Sequence, residues 1–396
     1  MRRIAIVHDW LSSYFGSERV LEQILHLYPS ADLFCVTDFL PPGERAFLNG
    51  RPVITSFIQR LPFARRHFRK YLALMPLAIE QFDLSAYELV ISSSHAVAKG
   101  VLTNPAQLHI SYVHTPIRYA WDLQEQYLAK GHTKRRKRLL ARALLHYIRM
   151  WDTRTANGVD AFVVNSKFIA RRVQKIYRRE AVVIHPPVDV ASFAIGWQRQ
   201  PFYLTVSRLV PYKRVDLIIE AFSRTRDRQL VVIGDGSEAS RLRSKATSNI
   251  TMLGHQPFEV IREHLQQARA FIFAAEEDFG IAPVEAQACG TPVIAFGKGG
   301  VTETVIDGDT GLYFTEQTAG SLIDAIRRFE RSWRCFDPRR IRRNAERFSI
   351  ERFRHEFAAL VEWEYAAFMN HGSHPLAEVS ALWMENGTNA QTKANL

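Results

Sequence analysis

Ala270-Phe271-Ile272-Phe273-Ala274-Ala275-Glu276-Glu277-Asp278-Phe279-Gly280-Ile281-Ala282-Pro283-Val284-Glu285 is the stretch that decides the fold. Its first five residues form a short, unbroken apolar run, the signature of a strand buried on both faces. An acidic, glycine-containing loop follows. Pro283 biases Ala282 away from helical geometry but suits the first position of a helix itself, which puts Glu277 in the loop and Glu285 in the first turn of the next helix. Gly290 is placed to end that helix, and Thr291-Pro292 leads into another apolar run at 292–296. Strand, loop, helix and strand in this order make a βαβ unit of a parallel sheet.

The same alternation extends in both directions. In the second half, strand-like runs at 202–206, 230–233 and 250–253 precede it. In the first half, runs at 4–7, 89–91, 108–113 and 161–164 alternate with helical patterns, the first of them carrying Val20, Leu21, Ile24 and Leu25. The paired prolines of His185-Pro186-Pro187-Val188-Asp189 suit a linker. The expected architecture is α/β, with two Rossmann-like doubly wound domains, 1–195 and 196–347. Open sheets of this type bind ligands beyond the carboxyl ends of their strands, so two such sheets facing each other would leave a cleft. A long amphipathic helix is expected at 348–370, N-capped by Ser349 and packing back on the N-terminal domain, with a polar tail at 371–396.

The chain has 396 residues, 47% hydrophobic and 23% charged, which excludes a disordered or collagen-like protein. No window holds the roughly 18 apolar residues of a membrane span. Three scattered cysteines, Cys35, Cys289 and Cys335, argue against a disulfide framework and a structural zinc site. His8-Asp9 interrupts the first apolar run too early for a secretory signal, so the expected setting is the cytoplasm.

Lys and Arg number 52 against 40 acidic residues, a net charge of +12. Much of it is concentrated. Between Glu125 and Asp152 there is no acidic residue, while Lys130, Lys134, Arg135, Arg136, Lys137, Arg138, Arg142 and Arg149 interleave with leucines and Tyr147. A second acid-free stretch at 60–72 mixes Arg65 and Arg66 with Phe63, Phe68 and Tyr71. Basic and apolar residues mixed in this way suit an interface with anionic lipid headgroups; the bland reading is a solvated helix. No RNA- or DNA-binding signature accompanies the charge, so nucleic acid is not an expected partner.

The chemistry gathers in the second half. Glu277 and Glu285 flank a helix start whose free N–H groups favour an anion. Upstream, Ser207-Arg208-Leu209-Val210-Pro211-Tyr212-Lys213 follows a strand directly, and Arg208 and Lys213 can grip phosphate oxygens. Gly299-Gly300-Val301-Thr302-Glu303 reads as a second backbone anion cradle, whereas Gly234-Asp235-Gly236 alone is a weak turn signal. Carboxylates for sugar hydroxyls beside donors for phosphate imply a nucleotide sugar. No Asp-x-Asp metal motif is present, and no metal or other cofactor is expected.

These motifs together resemble the retaining GT-B glycosyltransferases of family 4, the group 1 glycosyl transferases, over nearly the whole chain. His8-Asp9-Trp10-Leu11, Gly16-Ser17-Glu18 and His114-Thr115-Pro116-Ile117-Arg118-Tyr119-Ala120-Trp121-Asp122 look most similar to bacterial exopolysaccharide and O-antigen mannosyltransferases. The resemblance implies that Glu285 holds the ribose and Glu277 the donor sugar. It implies that backbone N–H groups around Phe279, Gly280 and Ile281 face sugar and diphosphate, and that Gly254 and His255 lie near the base. It also implies that Gly16 lets backbone approach the diphosphate and that His114 sits at the reacting sugar. Relatives often show two adjacent glycines where this chain has Gly16-Ser17. His8, Asp9 and Arg118 would lie on the acceptor side, although His8-Asp9 also reads as a structural turn and His114 as a core histidine.

The function implied is mannosyl transfer from GDP-mannose to a polyprenyl-diphosphate-linked glycan at the inner face of the cytoplasmic membrane, in surface-polysaccharide synthesis. UDP- and dTDP-sugars remain open as donors. The rival readings are a nucleotide-sugar epimerase of the same architecture and a basic nucleic-acid-binding protein.

Overall fold

The computed structural model describes residues 2–122, 124 and 135–370, and of residues 135–137 the backbone alone. Lys130 and Lys134 lie outside the described residues, as do the side chains of Arg135, Arg136 and Lys137. The chain divides into two compact units, one of Met1–Ile184 with the chain from Arg354 onward, the other of His185–Phe353.

In the first unit seven parallel strands are arranged in the order β3-β2-β1-β4-β5-β6-β7. They are β1 (Ile4–His8), β2 (Asp32–Cys35), β3 (Val53–Thr55), β4 (Leu89–Ser94), β5 (Leu108–Val113), β6 (Ala161–Val164) and β7 (Val182–Val183). The second unit holds β8 (Phe202–Val206), β9 (Gln229–Ile233), β10 (Ile250–Gly254), β11 (Ala270–Phe273), β12 (Val293–Phe296) and β13 (Gly311–Phe314), in the order β10-β9-β8-β11-β12-β13. Both sheets are doubly wound. In each the chain reverses direction across the sheet at one pair of neighbours, β1/β4 and β8/β11, and such a switch point opens a crevice at the strands' carboxyl ends.

Central strands such as Ala161–Val164 and Val293–Phe296 are buried along their whole length, because helices cover both faces of a parallel sheet. Strands β2, β3, β7 and β13 escape a reading by apolar runs because Asp32, Thr55 and Gly311 interrupt the first, second and fourth, and β7 has only two residues. Strand β4 runs past its apolar start through Ser92-Ser93-Ser94, all buried. These hydroxyls are tolerated because they find partners: Ser92 Oγ donates to Ser111 Oγ at 2.9 Å and lies 2.9 Å from His109 Nε2.

The division between units falls at Ile184/His185, where the proline linker begins, ahead of the expected residue 195. Residues 185–195 belong to the second unit because they are tied into it: Val188 N–H donates to Phe348 O at 2.8 Å, and Arg352 Nη2 donates to His185 O at 2.8 Å. Arg199 locks the same region, its guanidinium reaching the carbonyls of Gln266 at 2.8 Å and Cys289 at 3.0 Å. The last helix, Ile350–Met369, begins in the second unit and continues in the first. Ser349 Oγ accepts from Arg352 N–H at 3.2 Å, as an N-cap does. From Arg354 onward its partners are in the first unit: Arg354 Nε donates to Gln23 at 2.8 Å, and Phe357 packs on Tyr112.

Candidate functional site

Strands β8 and β11 are hydrogen-bonded neighbours, so the loops leaving their carboxyl ends lie side by side. The β8 loop carries Arg208 and Lys213, the β11 loop Glu277. Lys213 Nζ forms a direct ion pair with Glu277 Oε1, and the two side chains are only 19% and 16% exposed. Arg208 is exposed on the same loop. A brace holds both loops: Arg214, in the left-handed region at φ 54°, reaches Gln317 Oε1 at 2.8 Å, and Gln317 Nε2 donates to Ala274 O at 2.8 Å. Gln317, distant in sequence and carrying no motif, was not legible as part of this site.

The helix after the β11 loop spans Ile281–Ala288, with Gly280 as its N-cap at φ 91°. It therefore begins two residues before Pro283, and half-buried Glu285 stands in its second turn, not its first. Proline is tolerated there because the first-turn N–H groups have no intrahelical acceptor. Phe279 turns its ring inward, 5.5 Å from His185 and 5.4 Å from Phe348 by ring centroids, and so anchors the loop.

Gly299-Gly300 clamps the β11 loop through its backbone. Gly300 N–H donates to Glu277 O at 2.8 Å, while Thr302 and Glu303 N–H groups turn back to Gly299 O and Gly300 O. Val301–Thr304 is a single helical turn. The two glycines are needed for close approach. A Cβ at Gly299 would stand 2.5 Å from Glu277 O, and one at Gly300 would stand 2.6 Å from the Asp278 carbonyl carbon.

Gly234-Asp235-Gly236 proves more than a turn. It stitches three loops together: Leu209 N–H donates to Asp235 O at 2.8 Å, Ser207 N–H to Ile233 O at 3.0 Å and Gly234 N–H to Gly254 O at 2.7 Å. A Cβ at Gly234 would collide with Ser207 O. Gly254 lies at φ 73°, and His255 beside it is exposed.

The first unit's switch point is built differently. Asp9 follows β1, is fully buried, and accepts four backbone N–H bonds from the turn after β4: His95 at 2.6 Å, Ala96 at 3.0 Å, Val97 at 2.5 Å and Ala98 at 2.7 Å. Burial alone would raise its pKa. The His95 ring, whose Nδ1 lies 2.9 Å away, and the N–H donors outweigh that and hold it well below the usual carboxylate range. Asp9 thus supports the turn and has no oxygen to offer an acceptor. His8 is also fully buried, with Nδ1 3.1 Å from Ser93 Oγ and Nε2 3.5 Å from Glu18 Oε1. His8 and Asp9, both expected on the acceptor side, thus have no exposed side-chain surface.

Glu18 closes the capping box of the helix Gly16–Leu27, taking Phe15 N–H at 2.9 Å and Ser17 Oγ–H at 3.0 Å. Ser17, in the place of a second glycine, thereby helps to hold Glu18. Burial pushes the Glu18 pKa up, but the His8 side chain pulls it down to about 2. His114, after β5, meets Ser93 Oγ through Nε2 at 2.9 Å, and burial lowers its pKa to about 3. Ser93 and His95 carry no sequence motif; their one signal is their place where β4 ends.

The loop from His114 to Asp122 is fixed from beneath. Arg172 donates to Thr115 Oγ1 at 2.9 Å and pairs with Asp122. Trp121 Nε1 donates to Asp152 at 2.8 Å, where Lys99 Nζ, fully buried, completes the pair at 2.9 Å. Arg118 on this loop is half-buried. Arg65, Arg66 and Arg138 are exposed, and among the described residues no helix is long and apolar enough to cross a membrane.

Two family models tile the chain: Glycosyltransferase Family 4 at residues 16–192 and Glycosyl transferases group 1 at residues 189–348. An uncharacterized glycosyltransferase of Methanocaldococcus jannaschii is 29% identical over 172 residues, 42% of this chain and 48% of its own length. The D-inositol 3-phosphate glycosyltransferase of Mycobacterium leprae is 29% identical over 201 residues, 44% of this chain and 47% of its own. The matches therefore span about half the length of these curated relatives. Among solved structures, Anabaena HepE in complex with UDP is 17% identical at a TM-score of 0.65, covering 91% of this chain and 99% of its own. Sucrose-phosphate synthase from Thermosynechococcus elongatus is 16% identical at 0.69, covering 92% and 100%. The chain thus carries a region matching Glycosyltransferase Family 4 followed by one matching Glycosyl transferases group 1, on two doubly wound sheets that share the GT-B fold of these solved structures.

Proposed function

We propose that this protein transfers a hexose from a nucleotide sugar, with GDP-mannose as the first candidate donor, to a polyprenyl-diphosphate-linked glycan at an anionic membrane surface. The Lys213–Glu277 pair at the β8/β11 switch point carries the reading. An ammonium has three N–H donors, and its pairing with Glu277 occupies one, so the others can meet a diphosphate while Glu277 Oε2 accepts from a sugar hydroxyl. Arg208 on the same loop adds a fork for phosphate oxygens. Together they stabilise the charge that develops on the leaving diphosphate. We assign retention of configuration to front-side attack assisted by that leaving group, with no nucleophilic carboxylate and no metal required.

The donor base is the point on which two readings compete. HepE is known in complex with UDP-glucose, which favours a UDP-hexose as the second candidate. Calorimetry against GDP-mannose, UDP-glucose, UDP-galactose and the free nucleotides decides. Binding of one nucleotide sugar that is lost in Lys213→Ala supports the proposal, and no binding of any of them refutes it.

The surface of the first unit supports the membrane part. Phe63 is 80% exposed, held at φ 57° beside exposed Arg65 and Arg66. Leu72 of the same stretch packs against an apolar cluster of Ile117, Ala120, Leu145 and Ile148, the last two from the helix Arg135–Thr155, and Leu139, Leu140 and Met150 of that helix are exposed. Basic residues around exposed apolar ones suit anionic lipid. The wild type should sediment with phosphatidylglycerol vesicles at low salt, and Phe63→Ser with Arg65→Ser and Arg66→Ser should release it. A wild type that never sediments removes the membrane from the proposal.

A further inference from the structure

Three buried side chains lie in line behind His114. Glu18 Oε1 stands 3.5 Å from His8 Nε2, His8 Nδ1 stands 3.1 Å from Ser93 Oγ, and Ser93 Oγ stands 2.9 Å from His114 Nε2. The sheet register makes the row possible. His8 on β1 and Tyr112 on β5 flank Ser93 of β4 on either side, and His114 lies just beyond β5. His8 and Ser93 are fully buried and Glu18 nearly so, so no water competes for these groups.

A single hydroxyl between two imidazoles can donate to one and accept from the other. The direction is set at the far end. The Glu18 carboxylate favours a proton on the His8 nitrogen that faces it, Nε2, which leaves Nδ1 to accept from Ser93. Ser93 therefore donates to His8, and its oxygen accepts from His114. For that, Nε2 of His114 must carry the hydrogen. His114 is kept neutral by burial, so its other nitrogen, Nδ1, is a bare lone pair, and it has no partner among the described residues.

We infer that Glu18, His8 and Ser93 form a relay that fixes His114 as its Nε2–H tautomer and so reserves Nδ1 to accept a hydrogen bond from a sugar hydroxyl of the substrate. Glu18, His8 and Ser93 are positioning residues; His114 alone touches the ligand. The inference rests on the glycosyl-transfer reading for the identity of that ligand, but the tautomer itself does not. The relay also explains three polar residues at a place in the core where apolar ones would pack without cost: a wrong tautomer turns a hydrogen-bond acceptor into a donor at the same position.

The test reads the ring directly. In wild type labelled with 15N-histidine, long-range 15N–1H correlation spectra near pH 7.5, with His114→Gln for assignment, should show His114 protonated at Nε2 and bare at Nδ1. Ser93→Ala removes the relay with almost no change of volume and should move His114 toward a mixture of tautomers. In the same variant kcat with the nucleotide sugar identified above should fall about tenfold while KM for that donor stays within about twofold. Ser93→Thr, which restores the hydroxyl, should recover both the ring signature and most of kcat. A wild-type His114 protonated at Nδ1, or a Ser93→Ala protein with an unchanged ring spectrum, overturns the inference. A wild type that turns over no nucleotide sugar overturns the transferase reading instead, while the spectrum still decides the relay.

Discussion

Gly300→Ala isolates geometry from chemistry, because it adds one methyl group and removes no functional atom. The added Cβ would lie 2.6 Å from the Asp278 carbonyl carbon and nearer still to its oxygen, whereas ordinary contact begins near 3.4 Å. Both neighbours are backbone, so no side chain can swing aside. Relief requires the 277–279 loop to move by about 1 Å away from residue 300. That shift stretches the 2.8 Å bond from Gly300 N–H to Glu277 O and draws Glu277 off Lys213. A misplacement of this size costs about 10²-fold in rate where binding groups must be held in a reactive geometry. The assay is steady-state release of nucleoside diphosphate from the donor, with circular dichroism and thermal unfolding to show that the fold persists. Gly254→Ala is the control. Unlike Gly300, which lies at φ −67°, Gly254 has a positive φ of 73°, but the nearest atom to a Cβ there is the end of the Arg243 side chain at 3.6 Å, so strain of about 1 kcal/mol arises without a collision. A folded Gly300→Ala protein that keeps more than a third of the wild-type kcat would refute the clamp.

Lys213→Met should lower kcat roughly 10²-fold, since it removes a charge-assisted contact to the leaving group and leaves Glu277 without its cation; stopped-flow or coupled assays of diphosphate release measure it, and a change under threefold removes Lys213 from the site. Asp9→Asn should destabilise the protein by about 3 kcal/mol at pH 7 in urea unfolding, because an amide cannot accept four backbone N–H bonds. Its depressed carboxylate pKa contributes stability above the unfolded value near 3.9 that is lost as the pH falls below it, so the gap between wild type and variant should narrow below about pH 4. His109, fully buried against Ser92 and Gly158 O, is lowered by burial to about 4. A depressed histidine contributes stability above about pH 6.5 that fades toward the folded value, a loss of about 2 kcal/mol by pH 5. His109→Gln should flatten the unfolding profile between pH 8 and pH 5 by that amount, and an identical slope contradicts the assignment.

Lys213 and Glu277 were legible because each follows an apolar run closely, so the strand end and the functional residue are read together. Glu285 stands a turn later in its helix than Pro283 suggests, because Gly280, free to adopt a positive φ, starts the helix earlier. The Gly299-Gly300 pair drew attention as a phosphate cradle, but a sequence cannot show whether a glycine frees an N–H for a ligand or only lets two backbones touch. In the first unit Ser92-Ser93-Ser94 hid the end of β4: hydroxyls read as a loop, yet each is buried in the sheet. With the strand end hidden, His95 and Ser93 could not be placed opposite His8, and the role of Asp9 was invisible. Adjacency across strands is tertiary information.

The two switch points answer opposite demands with the same topology. At β8/β11 the charged groups keep part of their surface open, and the rigidity they need comes from glycines, Gln317 and the Phe279 anchor. On the proposed function this ion pair loosens to admit a diphosphate, which it could not do sealed in the core, where separating it would cost several kcal/mol. At β1/β4 Asp9, His8 and Ser93 are fully buried, and their contacts with the turn after β4 and with His114 hold a single imidazole in one tautomer. Open, partly solvated charge suits binding and release of an anion; closed, low-dielectric contacts suit the fixing of a hydrogen-bond direction, because there the wrong arrangement has no water to rescue it. Exchanging these environments should disable both. A polar residue opened beside Ser93 would let water replace the relay, and an apolar one packed over Lys213 would shut the diphosphate out.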